Sequence, residues 1–83
     1  MNDKLKIFKA LADETRLKIV ELLIKEGGKC VCEIVPYTGR TQSTISTQLS
    51  KLEFLGIVES TRNGKRIVYR VVNKKVEKII QLI

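Results

Sequence analysis

Two thiols stand two residues apart in this chain, Cys30 and Cys32, with Glu33 directly after them. Sulfurs this close together can share a soft, thiophilic ion or join as a disulfide. The 83 residues contain no histidine, which removes the usual general base and the commonest nitrogen ligand for metals. No nucleophile–base arrangement can be assembled from the remaining motifs, so no enzyme is expected and no cofactor is required.

A second group of residues suits a different chemistry. Within Thr41 to Gly56, Ile45, Leu49, Leu52 and Leu55 recur at helical spacing and form one apolar stripe. Away from it lie Gln42, Ser43, Ser46, Thr47 and Ser50. Short hydroxyls and amides are an unusual filling for a solvated face, because Lys and Glu are better helix formers. They do let a backbone approach a polar surface and hydrogen-bond to it, as a helix entering the major groove of DNA must. The plainer alternative is a buried helix with an incidental Ser/Thr-rich face.

Charge favours the first reading. Sixteen Lys and Arg against nine Asp and Glu leave a formal charge of +7, and the pI is about 9.7, which suits a polyanionic partner. No acid lies between Glu33 and Glu53, or between Glu59 and Glu77. Those gaps cover the polar helix and the segment after it.

The elements that position these groups follow in order along a single domain, residues 1–83. A first helix is expected over about 3–12, capped by Asp3, with Leu5, Phe8 and Leu11 or Ala12 along one side. Asp13 caps a second helix that runs from Glu14 to about Lys25 and ends at Gly27-Gly28. Its apolar residues cover more than half its circumference, which makes it the central core helix. A short third helix opens with Cys30 at the N-cap position and Glu33 three positions on, as in a capping box. Pro36 leaves the carbonyl of Cys32 without its helical donor, so this helix is expected to be short or kinked. Thr41 caps the polar helix, and Gly56 ends it.

After Gly56 the hydrophobic period changes from helical to alternating. Two runs flank Asn63-Gly64, a signal for a two-residue type I′ hairpin turn. Counting outward pairs Arg62 with Lys65, Ser60 with Ile67 and Val58 with Tyr69. Val58, Ile67, Tyr69 and Val71 then face the core. Arg62, Lys65 and Arg66 gather at the tip, either as edge-protecting charges or as a wing resting on phosphates. Asn73 caps a last helix over about 74–83, where Val76, Ile79, Ile80 and Ile83 repeat at i, i+3, i+4, i+7. With Leu5 and Phe8 of the first helix, that stripe suits a dimer interface, since an 83-residue core is small.

The expected architecture is mostly α with a β-hairpin, in the order α-α-α-α-β-β-α: a winged helix-turn-helix, with the helix-turn-helix over about 31–55 and the wing over about 57–72. Residues across nearly the whole chain resemble the ArsR family of winged-helix repressors. Leu11-Ala12-Asp13-Glu14-Thr15-Arg16-Leu17 is similar to the opening of that family's second helix, Cys30-Val31-Cys32-Glu33 to its thiol motif, and Thr41 through Gly56 to its recognition helix. The resemblance implies a homodimer, built on the first and last helices, that binds an inverted repeat in double-stranded DNA and is released by an inducer.

The resemblance also limits the inducer site. Arsenic-sensing members carry a third Cys three positions after the second, where this chain has Val35. Cadmium- and lead-sensing members add thiolates from an N-terminal arm, and no Cys precedes Cys30 here. Zinc and nickel sites need His. What remains is the dithiol. In an undistorted helix, side chains two apart point about 200° away from each other, so joint action requires the first turn to unwind, eased by the Pro36 defect. The distortion would then reach the adjacent polar helix. An arsenite- or cadmium-like inducer at Cys30 and Cys32 leads, ahead of redox sensing and of two thiols that merely fill space.

These readings combine into a cytoplasmic, homodimeric transcriptional repressor with no membrane partner. Gln42, Ser43, Ser46 and Thr47 are assigned to base edges, Arg40 and Thr44 to backbone or base, and Arg62, Lys65 and Arg66 to phosphates. The alternatives are a related regulator with no metal response, redox-gated or ungated, and a winged-helix module that binds another protein.

Overall fold

The computed structural model describes residues 3–83; positions 1 and 2 of the expected domain lie outside the described residues. Five helices and one hairpin follow in the order α1 (Asp3–Leu11), α2 (Glu14–Glu26), α3 (Val31–Thr38), α4 (Gln42–Phe54), β1 (Val58–Asn63), β2 (Arg66–Val71) and α5 (Lys74–Leu82). This is the winged helix-turn-helix anticipated from the sequence.

The core gathers around α2. Ile19, Val20, Leu22 and Leu23 meet Ile34 of α3, Ile45, Leu49 and Leu52 of α4, and Ile57, Val58 and Val76. Asp13 caps α2 by accepting from the Arg16 amide at 3.0 Å. In α1 the buried residues are Ile7 and Ala10. Leu5 and Phe8, the side expected to be apolar, point outward and are exposed. Asp3 is itself helical rather than the cap. In α5 only Val76 is fully buried, Ile79 and Ile80 are half-buried, and Ile83 is exposed.

The α3 helix is short, as expected, but it runs through Pro36 to Thr38, and Gly39 ends it. Thr41 caps α4 by accepting the Thr44 amide at 3.1 Å. At the other end the Gly56 amide donates to Glu53 and the Ile57 amide to Leu52, a Schellman-type closure that satisfies two orphan carbonyls.

The hairpin differs from the expected register. Val58 pairs with Val71, Ser60 with Tyr69, Arg62 with Ile67 and Asn63 with Arg66. The turn residues are therefore Gly64 and Lys65, not Asn63 and Gly64. Of Asn63, Gly64 and Lys65 only Gly64 carries a positive φ, 67°, and among the described residues no non-glycine residue does. A type I′ turn on Asn63-Gly64 would need positive φ at both, so the glycine instead takes the first turn position, as in a type II′ turn. Sliding the pairing by an even number of residues keeps every side chain on its face. Val58, Ile67, Tyr69 and Val71 do share one face. Ile67 is nonetheless exposed, because it sits toward the tip, beyond the core it was expected to join.

A third backbone segment joins the hairpin. Lys29, in the loop before α3, exchanges both hydrogen bonds with Tyr69, at 3.0 and 2.8 Å. The strand β2 is thereby held on both edges, with one edge against the residue that precedes Cys30.

Candidate nucleic-acid interface and thiol motif

The buried side of α4 fixes the direction of its other side. Ile45, Leu49 and Leu52 have no exposed surface, and α2 and α3 both pack against the helix. Gln42, Ser43, Ser46, Thr47 and Ser50 consequently all lie exposed. Thr44 is half-buried and shares a 3.0 Å hydrogen bond with the Thr41 hydroxyl. Its polar atoms therefore serve the cap. Arg40 is exposed and reaches Glu14 at 3.5 Å, an ion pair in open solvent that a phosphate can replace at little cost.

One positioning side chain has no counterpart among the assigned site residues. Arg16 donates from Nε to the Ala10 carbonyl at 2.9 Å and from Nη1 to Gln48 Oε1 at 2.8 Å. It ties the end of α1 and the start of α2 to the middle of α4. The Arg16 amide, donating to Asp13, holds that carboxyl below the usual carboxylate range; burial opposes the shift, and the Arg16 charge adds to it. In sequence, Arg16 is one cation in a basic chain, and its partner is 32 residues away. Only the family motif singled it out.

The wing cations divide. Arg62 and Lys65 are exposed and form no ion pair among the described residues. Arg66 turns back from the tip. Its Nη2 forms a short ion pair with Glu33 and donates to Cys30 Sγ at 3.4 Å. Glu33 also accepts the Cys30 amide at 3.1 Å and lies 3.7 Å from Lys29 Nζ. Donation from the Cys30 amide lowers the Glu33 pKa most; desolvation opposes it, and Arg66 and Lys29 lower it further. Gly28 completes this contact. A Cβ placed there would stand 2.6 Å from Val68 Cγ1, so the loop approaches the hairpin this closely only because residue 28 has no side chain.

Cys30 and Cys32 are bonded to each other, with their Cα atoms 5.3 Å apart. The geometric objection drawn from the sequence does not apply. It applied the helical repeat to both residues, but Cys30 is the N-cap, as the capping box with Glu33 implied, with φ −85° and ψ 167°. An extended residue aims its side chain independently of the helical repeat. The first turn of α3 stays wound, and the Pro36 defect plays no part. Cys30 is buried and Cys32 is exposed. Among the described residues, no three His, Cys, Asp or Glu side chains gather as a metal site.

A family model described as "Bacterial regulatory protein, arsR family" matches residues 13–60, the span from the α2 cap into the first wing strand. The chain belongs to the arsR family. This arsR-family regulator is 42% identical over 77 residues to an HTH-type transcriptional regulator of Methanocaldococcus jannaschii, covering 93% of this chain and 86% of that one. It is 40% identical over 75 residues to the cadmium resistance regulator CadC of Listeria innocua, covering 90% of this chain and 63% of CadC. It thus spans less than two thirds of the cadmium regulator. Its fold superimposes with a TM-score of 0.85, at 35% identity, on a homodimeric winged helix-turn-helix DNA-binding domain from Mycobacterium bovis. That match covers 96% of this chain and 73% of the other. The resemblance drawn from the three motifs is therefore borne out, and its relatives are transcriptional regulators rather than enzymes. Among the described residues, no helix is long and apolar enough to cross a membrane.

Proposed function

We propose that this arsR-family regulator is a cytoplasmic homodimeric repressor that binds an inverted repeat in double-stranded DNA and is released when a thiophilic metal or metalloid occupies Cys30 and Cys32. Gln42, Ser43, Ser46 and Thr47 read base edges. Arg40 contacts backbone, and Arg62, Lys65 and Arg66 hold phosphates, Arg66 after leaving Glu33. Thr44 contributes by fixing the start of the helix. Leu5, Phe8, Ile79, Ile80 and Ile83 form the subunit contact, whereas Val76, expected there too, has no exposed surface and belongs to the core of the monomer. The outward turn of Leu5 and Phe8, and the exposure of Ile83, support that assignment, as does the homodimeric relative.

The observation that carries the inducer half of this reading is the convergence of the two sulfurs at the start of α3. Side chains that can bond to each other can also face one ion. Two sulfurs suit a soft centre that accepts a dithiolate, such as arsenite or cadmium. Such an ion requires the reduced pair. A dithiol reductant supplies two electrons and two protons to the Cys30–Cys32 bond and departs as its own disulfide. The same bond supports a second reading, in which oxidation of the pair is itself the signal.

The test is binding of the reduced protein to a fluorescent duplex from its own upstream region during titration with arsenite and then cadmium. Release at near-stoichiometric ion, lost in a Cys30→Ser/Cys32→Ser variant, is the expected result. Release by a disulfide oxidant alone favours the redox reading. Binding with no sequence preference at physiological salt removes sequence-specific repression and favours a protein-interaction module.

A further inference from the structure

The wing and the thiol motif are separate in sequence, and in the fold they share one cation. Arg66 is 36 residues from Cys30 and 33 from Glu33, yet a single nitrogen, Nη2, reaches both. Glu33 is held for this role from its own side, since its carboxylate also accepts the Cys30 amide and faces Lys29. The backbone exchange between Lys29 and Tyr69 and the close approach of Gly28 to Val68 keep the loop and hairpin together around this contact. Between them lies a polar cleft of about 520 Å³ whose lining includes Glu33, Thr61, Arg62, Arg66 and Arg70. Three guanidinium groups and a single carboxylate line it, and Arg66 is the one that carboxylate occupies.

We propose that Glu33 is a positioning residue that competes with DNA phosphate for Arg66, and so couples the thiol motif to the grip of the wing. A guanidinium satisfied by a carboxylate must leave it before it can donate to a phosphate oxygen; both offer the same planar acceptor geometry. The hold opposes binding to every sequence alike, because phosphates carry no sequence information. It also depends on the sulfur. Nη2 touches Cys30 Sγ, so an ion or alkyl group on that atom changes how Arg66 is seated. This inference rests on the DNA-binding reading for its consequence, but not for the tether itself.

The experiment is a double-mutant cycle on DNA binding. Glu33→Gln keeps the size and capping ability of residue 33 and removes its charge. Specific and random duplexes are each titrated against wild type, Glu33→Gln, Arg66→Gln and the double variant, with Glu26→Gln as a control for loss of one negative charge nearby. Glu33→Gln is expected to tighten binding to both duplexes by the same several-fold factor. That gain should vanish in the Arg66→Gln background and be absent in Glu26→Gln. No gain, or an equal gain without Arg66, overturns the proposal. If the wild type binds no DNA, the DNA-binding reading falls instead, and the tether is read from the Arg66 guanidinium resonances. Slowed, resolved side-chain signals in wild type that average in Glu33→Gln support it. Signals already averaged in wild type overturn it.

Discussion

The reading helix and the wing are both attached to the same small core, but by different means. The α4 helix is anchored by Ile45, Leu49 and Leu52, none of which has exposed surface. It is capped by Thr41, closed at Gly56, and strutted by Arg16 on Gln48. The hairpin buries Val58 fully, while Tyr69 and Val71 are only half-buried. Beyond these it is held by a backbone bridge to Lys29, a hydrogen bond from the Ser60 hydroxyl to Glu53 at 2.8 Å, and an ion pair to Glu33. Apolar anchoring fixes position, whereas an exposed ion pair can be exchanged for another at small cost. The difference suits α4 to the rigid presentation of the base-reading groups proposed for it, and the wing to the adjustable phosphate contact proposed there.

Breaking the anchored region should have the larger effect. Leu49→Ala removes a fully buried side chain where three helices meet, and is expected to cost about 2–5 kcal/mol. Urea unfolding measures this, and a loss below about 1 kcal/mol would mean α4 is not held by its apolar stripe. On the wing, an Arg62→Gln/Lys65→Gln/Arg66→Gln variant should stay folded but bind all duplexes more weakly. Its salt dependence should flatten by about 0.9 for each phosphate that the wing no longer neutralises. A wild-type slope would remove the wing from the interface.

Gly28→Ala sharpens the comparison, because it disturbs the wing's attachment alone. Its Cβ would overlap Val68, and such overpacking typically costs about 1–3 kcal/mol. Faster amide exchange is expected at Lys29 and Tyr69, with α4 unchanged. A variant as stable and as protected as wild type would show that the close approach contributes nothing.

The smallest effect concerns acid. Asp13, beside the Arg16 strut, and Glu33, beside the wing, both have pKa values below the usual carboxylate range. A carboxyl depressed in the folded state contributes stability that is present at neutral pH and lost as the pH falls through its folded value. Melting temperature should therefore hold level near neutrality and decline on acidification. Asp13→Asn and Glu33→Gln should each lessen that decline. An unchanged acid profile in both variants would contradict these assignments.

Much of this organisation is legible without the fold, because local rules decide it. The stripe at Ile45, Leu49 and Leu52, the caps at Asp13, Thr41 and Asn73, and the change of period after Gly56 are short-range signals. The hairpin is legible too, but its turn lies one residue later than the sequence suggests. Asn63-Gly64 is the stronger local signal, and the choice between turn types depends on strand pairing at a distance. The cysteine geometry departs from expectation for a related reason. Cys30 is legible as the cap, but the helical repeat does not govern a capping residue, so the direction of its side chain is not. The Arg66–Glu33 and Arg16–Gln48 contacts are not legible at all. They join segments more than thirty residues apart, and charge or polarity alone does not reveal a partner.

In the proposed division of labour, sequence discrimination resides on α4 while the wing supplies grip. That division is tested most directly by competing a specific duplex against a random one for the Gln42→Ala protein. The predicted result is a narrowed ratio of specific to random affinity, with binding to the random duplex and its salt slope as in wild type. An unchanged ratio, or an equal loss on both duplexes, would contradict it.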